Sequence, residues 1–129
     1  MPFVRIDLGK QYSVAEAQTI GDIVYQAMTS SINVPADDKF QVITMHDENE
    51  LKIPQSYLGI EYSRGIVFIQ ITLNEGRSVE LKKKFYKSIC EMVVEKLKIR
   101  SEDIFINLVE VSKENWSFGN GEMQYAPKV

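Results

Sequence analysis

FVRIDLGKQYSV at residues 3–14 and FIQITLNEGRSV at residues 68–79 carry one pattern twice. Displacing the chain against itself by 65 positions pairs Phe3 with Phe68, Ile6 with Ile71, Leu8 with Leu73, Ser13 with Ser78 and Val14 with Val79. Without a gap, the same displacement lays VPADDKFQVI (34–43) over IRSEDIFINL (99–108), so that Asp38 meets Asp103 and Phe40 meets Phe105. Identity is sparse but the register never slips, which marks an internal duplication.

Each copy reads as strand, helix, strand. Residues 3–8 alternate, with Val4, Ile6 and Leu8 on one side and Phe3, Arg5 and Asp7 on the other, the period of a half-buried strand. Ser13 and Glu16 form a capping-box pattern, after which Ala17, Ile20, Val24, Ala27 and Met28 recur at helical spacing to about residue 32, where Asn33-Val34-Pro35 stops the run. A strand over 40–45 closes the first copy. The second copy predicts a strand over 66–73, a helix over 79–97 with Leu81, Phe85, Ile89, Val93 and Leu97 on one face, and a strand over 104–111.

A strand-helix-strand unit places its two strands parallel with a right-handed crossover. Two such units predict an α+β fold, a four-stranded sheet with both helices on one face. The other face carries Phe3, Arg5, Asp7, Phe68, Gln70 and Thr72, too aromatic for plain solvent. Packing against further copies of the chain is the economical cover, so a homo-oligomer is expected.

With 129 residues and 44% hydrophobic content, the chain fits one domain over 1–129. Repeat 1 spans about 2–46, a connecting loop about 47–65, repeat 2 about 66–111, and a C-terminal arm about 112–129. The loop contains the acidic run Asp47-Glu48-Asn49-Glu50, and the arm, with its aromatics and glycines, is expected to form a short hairpin or extension. A net charge of -3 and a pI of about 5.2, with no basic cluster beyond Lys82-Lys83-Lys84, give no footprint for nucleic acid or an anionic membrane. The single Cys90 excludes an intrachain disulfide, and no leader or membrane-length apolar stretch is present, which points to a cytoplasmic protein. One histidine and no cysteine pair offer no dedicated zinc site.

Chemistry is expected where the two copies differ. Pro2 stands where repeat 2 has Val67, and Tyr12 where repeat 2 has Arg77. If Met1 is trimmed, Pro2 becomes a free secondary amine in a rigid ring; an α-amino group has a reference pKa of about 7.7 to 8.0, suited to proton transfer near neutrality. Pro2 reads equally as a processing residue that fixes φ at a strand entrance. Arg77 lies between the end of a strand and the N-cap Ser78, a place that suits a carboxylate and also an ordinary surface arginine. Asp38 shares its repeat position with Asp103, so a turn-forming role competes with a catalytic one.

Taken together, Pro2, the two β-α-β units, VPADDKFQVI, NEGRSVELKKKFY, INLVEV and the tail NWSFGNG resemble the tautomerase superfamily, which has the 4-oxalocrotonate tautomerase and MIF-like fold, and specifically its malonate semialdehyde decarboxylase-like branch. The resemblance covers nearly the whole chain. It implies a trimer with no cofactor, in which Pro2 is the catalytic amine, Asp38 the carboxylate beside it and Arg77 the binder of the substrate carboxylate. It further implies that Trp116, Phe118 and Tyr125 wall the pocket. Malonate semialdehyde decarboxylases of this family carry two arginines around the strand-to-helix turn, whereas Asn74-Glu75-Gly76-Arg77 carries one.

The resemblance leaves three functional expectations. One is a cofactor-independent tautomerase of small 2-oxo or enol carboxylic acids; another is a decarboxylase or hydratase with protonated Pro2. The third is a non-enzymatic trimeric interaction protein.

Overall fold

The computed structural model describes residues 2–126; Met1 and the last three residues of the arm lie outside the described residues. In chain order the elements are β1 (Phe3–Gly9), α1 (Val14–Ser31), β2 (Phe40–His46), a two-stranded hairpin β3 (Ser56–Tyr57) and β4 (Ile60–Glu61), β5 (Val67–Asn74), α2 (Val79–Leu97) and β6 (Ile104–Val111). The main sheet has the order β2-β1-β5-β6, with β1 parallel to β2, β5 parallel to β6, and the central pair β1 and β5 antiparallel. Each repeat is therefore a parallel β-α-β unit, and the two meet head to tail at the centre.

The helices begin where their capping residues stand. Ser13 Oγ accepts from the Glu16 N–H at 3.0 Å while Glu16 Oε1 accepts from the Ser13 N–H at 2.9 Å, and Ser78 Oγ accepts from the Leu81 N–H at 3.2 Å. Each bond satisfies a donor that a helix start leaves without a partner. Lys98 ends α2 in the left-handed region at φ 58°.

Alternation along the strands sends Val4, Ile6 and Leu8 of β1 and Val67, Ile69, Ile71 and Leu73 of β5 into the core. They pack against Ile20, Ile23, Val24, Ala27 and Met28 of α1 and Phe85, Ile89 and Val93 of α2. Burying each large apolar side chain contributes roughly 1.5 to 3 kcal/mol. Leu81 and Leu97, the ends of the apolar stripe on α2, are half-buried at the core margin.

The opposite face of the sheet is largely exposed in the single chain, with only the arm packing against it near Phe40. The strand register sets three rows across it: Phe40, Phe3, Thr72 and Val109; then Val42, Arg5, Gln70 and Asn107; then Thr44, Asp7, Phe68 and Phe105. Gln70 Nε2 donates to Asn107 Oδ1 at 3.0 Å in the middle row. Phe3, Phe40, Val42, Phe105 and Val109 are all exposed.

The connection over 47–65 is more ordered than a plain loop. Glu48–Glu50 form a 3-10 turn, β3 pairs with β4, and Arg64 Nη2 donates to the carbonyls of Glu48 and Leu51 at 2.6 and 2.8 Å. His46 Nε2 lies 2.6 Å from Asp7 Oδ1, fixing the start of the connection to β1. In the arm, the described residues hold a 3-10 turn at Lys113–Asn115 and further turns, with no strand among them, so the hairpin alternative is not seen.

Candidate functional site

The sheet topology decides which candidate residues share a neighbourhood. Phe3 lies opposite Phe40 in the parallel pair and opposite Thr72 in the antiparallel pair. Continuing both registers one step puts Pro2 level with Lys39 on one side and Leu73 on the other. Asp38 comes one residue before Lys39, and Arg77 follows Leu73 through a short turn. The start of β1, the start of β2 and the end of β5 therefore lie at the same end of the sheet in one chain. The antiparallel central pair brings the segments of Pro2 and Arg77 to one end of the sheet within a single chain.

Pro2 is buried beside a cleft of about 470 Å³ whose walls include Pro2, Phe3, Phe40, Val42, Trp116 and Phe118. The arm folds back to supply the aromatic side. Trp116 and Phe118 stack with centroids 5.4 Å apart and planes 13° from parallel, Phe40 stacks on Phe118 at 6.4 Å, and Tyr125 meets Phe118 edge-on at 5.1 Å. Tyr125 thus stands behind the wall that Phe118 forms. Phe40 is a wall residue that the sequence reading did not single out; its pairing with Phe105 in the repeat gave it the look of a structural aromatic.

Arg77 is half-buried, and its guanidinium is already oriented. Nε donates to Ile32 O at 2.9 Å and Nη1 to Asn74 O at 3.0 Å. Those bonds do not exhaust the donors of a guanidinium fork. Gly76, at φ +120°, makes the turn that returns the chain toward β5, a conformation open to glycine and strained for other residues. Nearby, Glu110 accepts from Lys82 Nζ at 2.6 Å; that bond first, and also the Gly76 N–H and the charge of Arg77, hold its carboxyl below the ordinary 4.5.

Asn74 joins these parts. Its Oδ1 accepts from Trp116 Nε1 at 2.7 Å, while its carbonyl accepts from Arg77. Asn74 stands where repeat 1 has Gly9, so it is a departure from the duplication of the kind that singled out Pro2 and Arg77.

Asp38 and its repeat counterpart have diverged. Asp103 is 2% exposed and accepts from the Ser63 N–H at 2.8 Å, from Ser63 Oγ, and from Arg100 Nη1 at 3.3 Å. Asp38 is half-buried in the turn before β2, where its N–H donates to Pro35 O at 3.1 Å. Among the described residues no group of three or more His, Cys, Asp or Glu could hold a metal ion, and no helix is long and apolar enough to cross a membrane.

Comparison with known proteins agrees with this geometry. The family model described as "Tautomerase enzyme" matches residues 38–119. The chain is 40% identical over 124 residues to the probable tautomerase YusQ of Bacillus subtilis (strain 168), an alignment covering 96% of this chain and 98% of that protein. Among solved structures, the FG41 malonate semialdehyde decarboxylase inhibited by 3-bromopropiolate superimposes with a TM-score of 0.86 at 32% identity, over 95% of this chain and 93% of that one. A second malonate semialdehyde decarboxylase superimposes with a TM-score of 0.85 at 28% identity, over 95% of each chain. Duplicated β-α-β architecture, near full-length similarity and the family match together place this chain in the tautomerase superfamily, in its malonate semialdehyde decarboxylase-like branch.

Proposed function

We propose that the protein is a cofactor-independent tautomerase that moves a proton within small 2-oxo or enol carboxylic acids, using the amine of Pro2 freed by removal of Met1. The observation that carries this reading is the burial of Pro2 beside an aromatic-walled cleft, at the end of the sheet where β5 runs out toward Arg77. Desolvation beside apolar walls disfavours the charged form of an amine and so favours its use as a base. Neutral Pro2 takes the proton from the enol hydroxyl and returns it to the adjacent carbon, giving the keto acid. Arg77 binds the carboxylate and fixes its orientation. Trp116 and Phe118 form the apolar wall, with Tyr125 supporting Phe118.

Asp38 tunes the amine. A carboxylate near Pro2 favours the protonated form and shifts the chemistry toward general-acid work. This supports a second reading, decarboxylation or hydration of a 3-oxo acid. For one of the similar malonate semialdehyde decarboxylases, wild-type, mutant and inactivated structures are described as a structural basis for decarboxylase and hydratase activities. The single arginine of the Asn74–Arg77 turn favours the tautomerase reading, since fewer cations face the charge that develops on loss of carbon dioxide.

Assembly as a homotrimer accompanies both readings. The resemblance implies three copies, and the exposed aromatic face of the sheet is the surface that needs a cover.

The test is ketonisation of phenylenolpyruvate by the wild type beside Pro2→Ala, with intact masses showing that both have lost Met1. Turnover by the wild type and loss of most of the rate in the variant are expected. Equal rates for the two proteins, or an inactive wild type with a free terminus, overturn the tautomerase reading. Malonate semialdehyde then becomes the substrate to assay.

A further inference from the structure

Asn74 bonds to two residues that lie far apart in sequence, Trp116 of the cleft wall and Arg77 of the turn after β5. Its side-chain oxygen accepts from the Trp116 indole at 2.7 Å, and its carbonyl accepts from Arg77 Nη1 at 3.0 Å. The following residue, Glu75, donates its N–H to Val111 O at 2.9 Å, which closes the end of β5 onto the end of β6 where the arm departs. Beyond that point the described arm has no strand to hold it in place. Its aromatic stack runs outward from Trp116 through Phe118 to Tyr125.

An indole N–H taken out of water needs an acceptor. The Asn74 amide supplies one from a rigid strand end, at the residue whose carbonyl also holds the guanidinium. We infer that Asn74 is a positioning residue for the cleft: it fixes the Trp116 wall at a set distance from Arg77 and so sets the width of the space a substrate occupies. The kinetic part of this inference rests on the tautomerase reading; the positioning part rests on geometry alone.

A wall that touches substrate and transition state alike contributes uniform binding, so its displacement raises KM and leaves kcat nearly unchanged. Trp116 is the only tryptophan in the chain, which makes its fluorescence a direct report of its surroundings.

The experiment compares wild type, Asn74→Leu, which removes the acceptor at similar size, and Asn74→Asp, which retains it. In Asn74→Leu, Trp116 emission is expected to move to longer wavelength and its anisotropy to fall, without substrate present; Asn74→Asp retains both signals. KM for phenylenolpyruvate is expected to rise about five- to tenfold in Asn74→Leu, with kcat within about twofold. Placed on a Trp116→Phe background, Asn74→Leu adds less than about twofold, because the bond it removes is already gone. Unchanged emission and anisotropy in Asn74→Leu, or its full kinetic effect persisting on Trp116→Phe, overturn the inference. A wild type without turnover overturns the tautomerase reading instead, and the fluorescence of the Leu and Asp variants still decides whether Asn74 positions Trp116.

Discussion

Arg77 Nε donates to the carbonyl of Ile32, the C-cap residue of α1, at 2.9 Å. The bond ties the turn after β5, in the second repeat, to the end of the helix in the first. Carbonyls at a helix C-terminus carry partial negative charge and suit a cation. With Nη1 also held by Asn74 O, the guanidinium is oriented within the chain, which would reduce the ordering cost of the carboxylate binding proposed for it.

Replacing Arg77 separates charge from geometry. Arg77→Lys keeps the cation but cannot reach two carbonyls and still present a fork to a carboxylate. Both Arg77→Lys and Arg77→Ala are expected to raise KM for phenylenolpyruvate at least about tenfold, on the scale of a lost charge-assisted hydrogen bond. Arg77→Ala also loses both carbonyl bonds and is expected to cost about 1 to 2 kcal/mol in urea unfolding. A lysine variant with wild-type KM would show that charge alone suffices.

Asp38 and Asp103 occupy equivalent repeat positions but are expected to fail in opposite ways. Asp103→Ala removes the acceptor for Ser63 and Arg100 from a buried site and is expected to cost about 2 to 4 kcal/mol of stability. Its folded protein should keep wild-type turnover. Asp38→Asn, at the half-buried turn leading to the cleft, is expected to cost less stability than Asp103→Ala while shifting the pH profile of turnover. Denaturation midpoints and pH–rate profiles for the two variants decide the matter; a purely structural Asp38 would leave the pH profile unmoved.

That contrast also shows what the sequence could convey. The duplication, both helix starts and the inward set Val4, Ile6 and Leu8 were legible because periodicity and capping act over a few residues. The strand order was not, since two β-α-β units can be joined in more than one way. Without it, the common end of the sheet reached by Pro2 and the β5 turn cannot be read from the sequence. Phe40 looked structural because Phe105 repeats it, and only the folding back of the arm makes it a wall. Asn74 was detectable in principle: comparing it with Gly9, as Pro2 was compared with Val67, marks it as a departure. Besides Arg100, Asp103 is held by Ser63 in the connection between repeats, a partner that no comparison of one half with the other could reveal.

Tyr12 gives the fold an alkaline limit. Its hydroxyl donates to Gly65 O, and a Cβ on Gly65 would stand only 2.9 Å from that hydroxyl. Burial, with smaller contributions from the charges of Asp103 and Glu16, raises its pKa above the ordinary 10.0. A raised folded-state value means stability that is fully present below pH 10.0 and lost as pH rises through the folded value. Tyr12→Phe is expected to cost about 1 kcal/mol near neutral pH, for one hydrogen bond. The gap between wild type and variant should close as urea unfolding is repeated from about pH 8 to about pH 11. A gap that stays constant would mean that the hydroxyl contributes nothing that ionisation removes.

The uncovered sheet face yields the last expectation. Phe68 and Phe105 lie side by side with centroids 5.1 Å apart, and the row at the other end of the face brings Phe40 beside Phe3. Apolar side chains therefore flank a polar centre of Arg5, Gln70 and Asn107. A contiguous exposed surface of this kind marks an interface more often than open solvent. Phe105 points away from the core and is 42% exposed, so Phe105→Lys should leave the fold intact by circular dichroism. Burying its charge between subunits without a partner would be costly. Sedimentation velocity at micromolar concentration is expected to show the wild type as a trimer and Phe105→Lys shifted to monomer. A monomeric wild type would mean that this face is not covered by other copies, and a trimeric variant would move the interface elsewhere on the molecule.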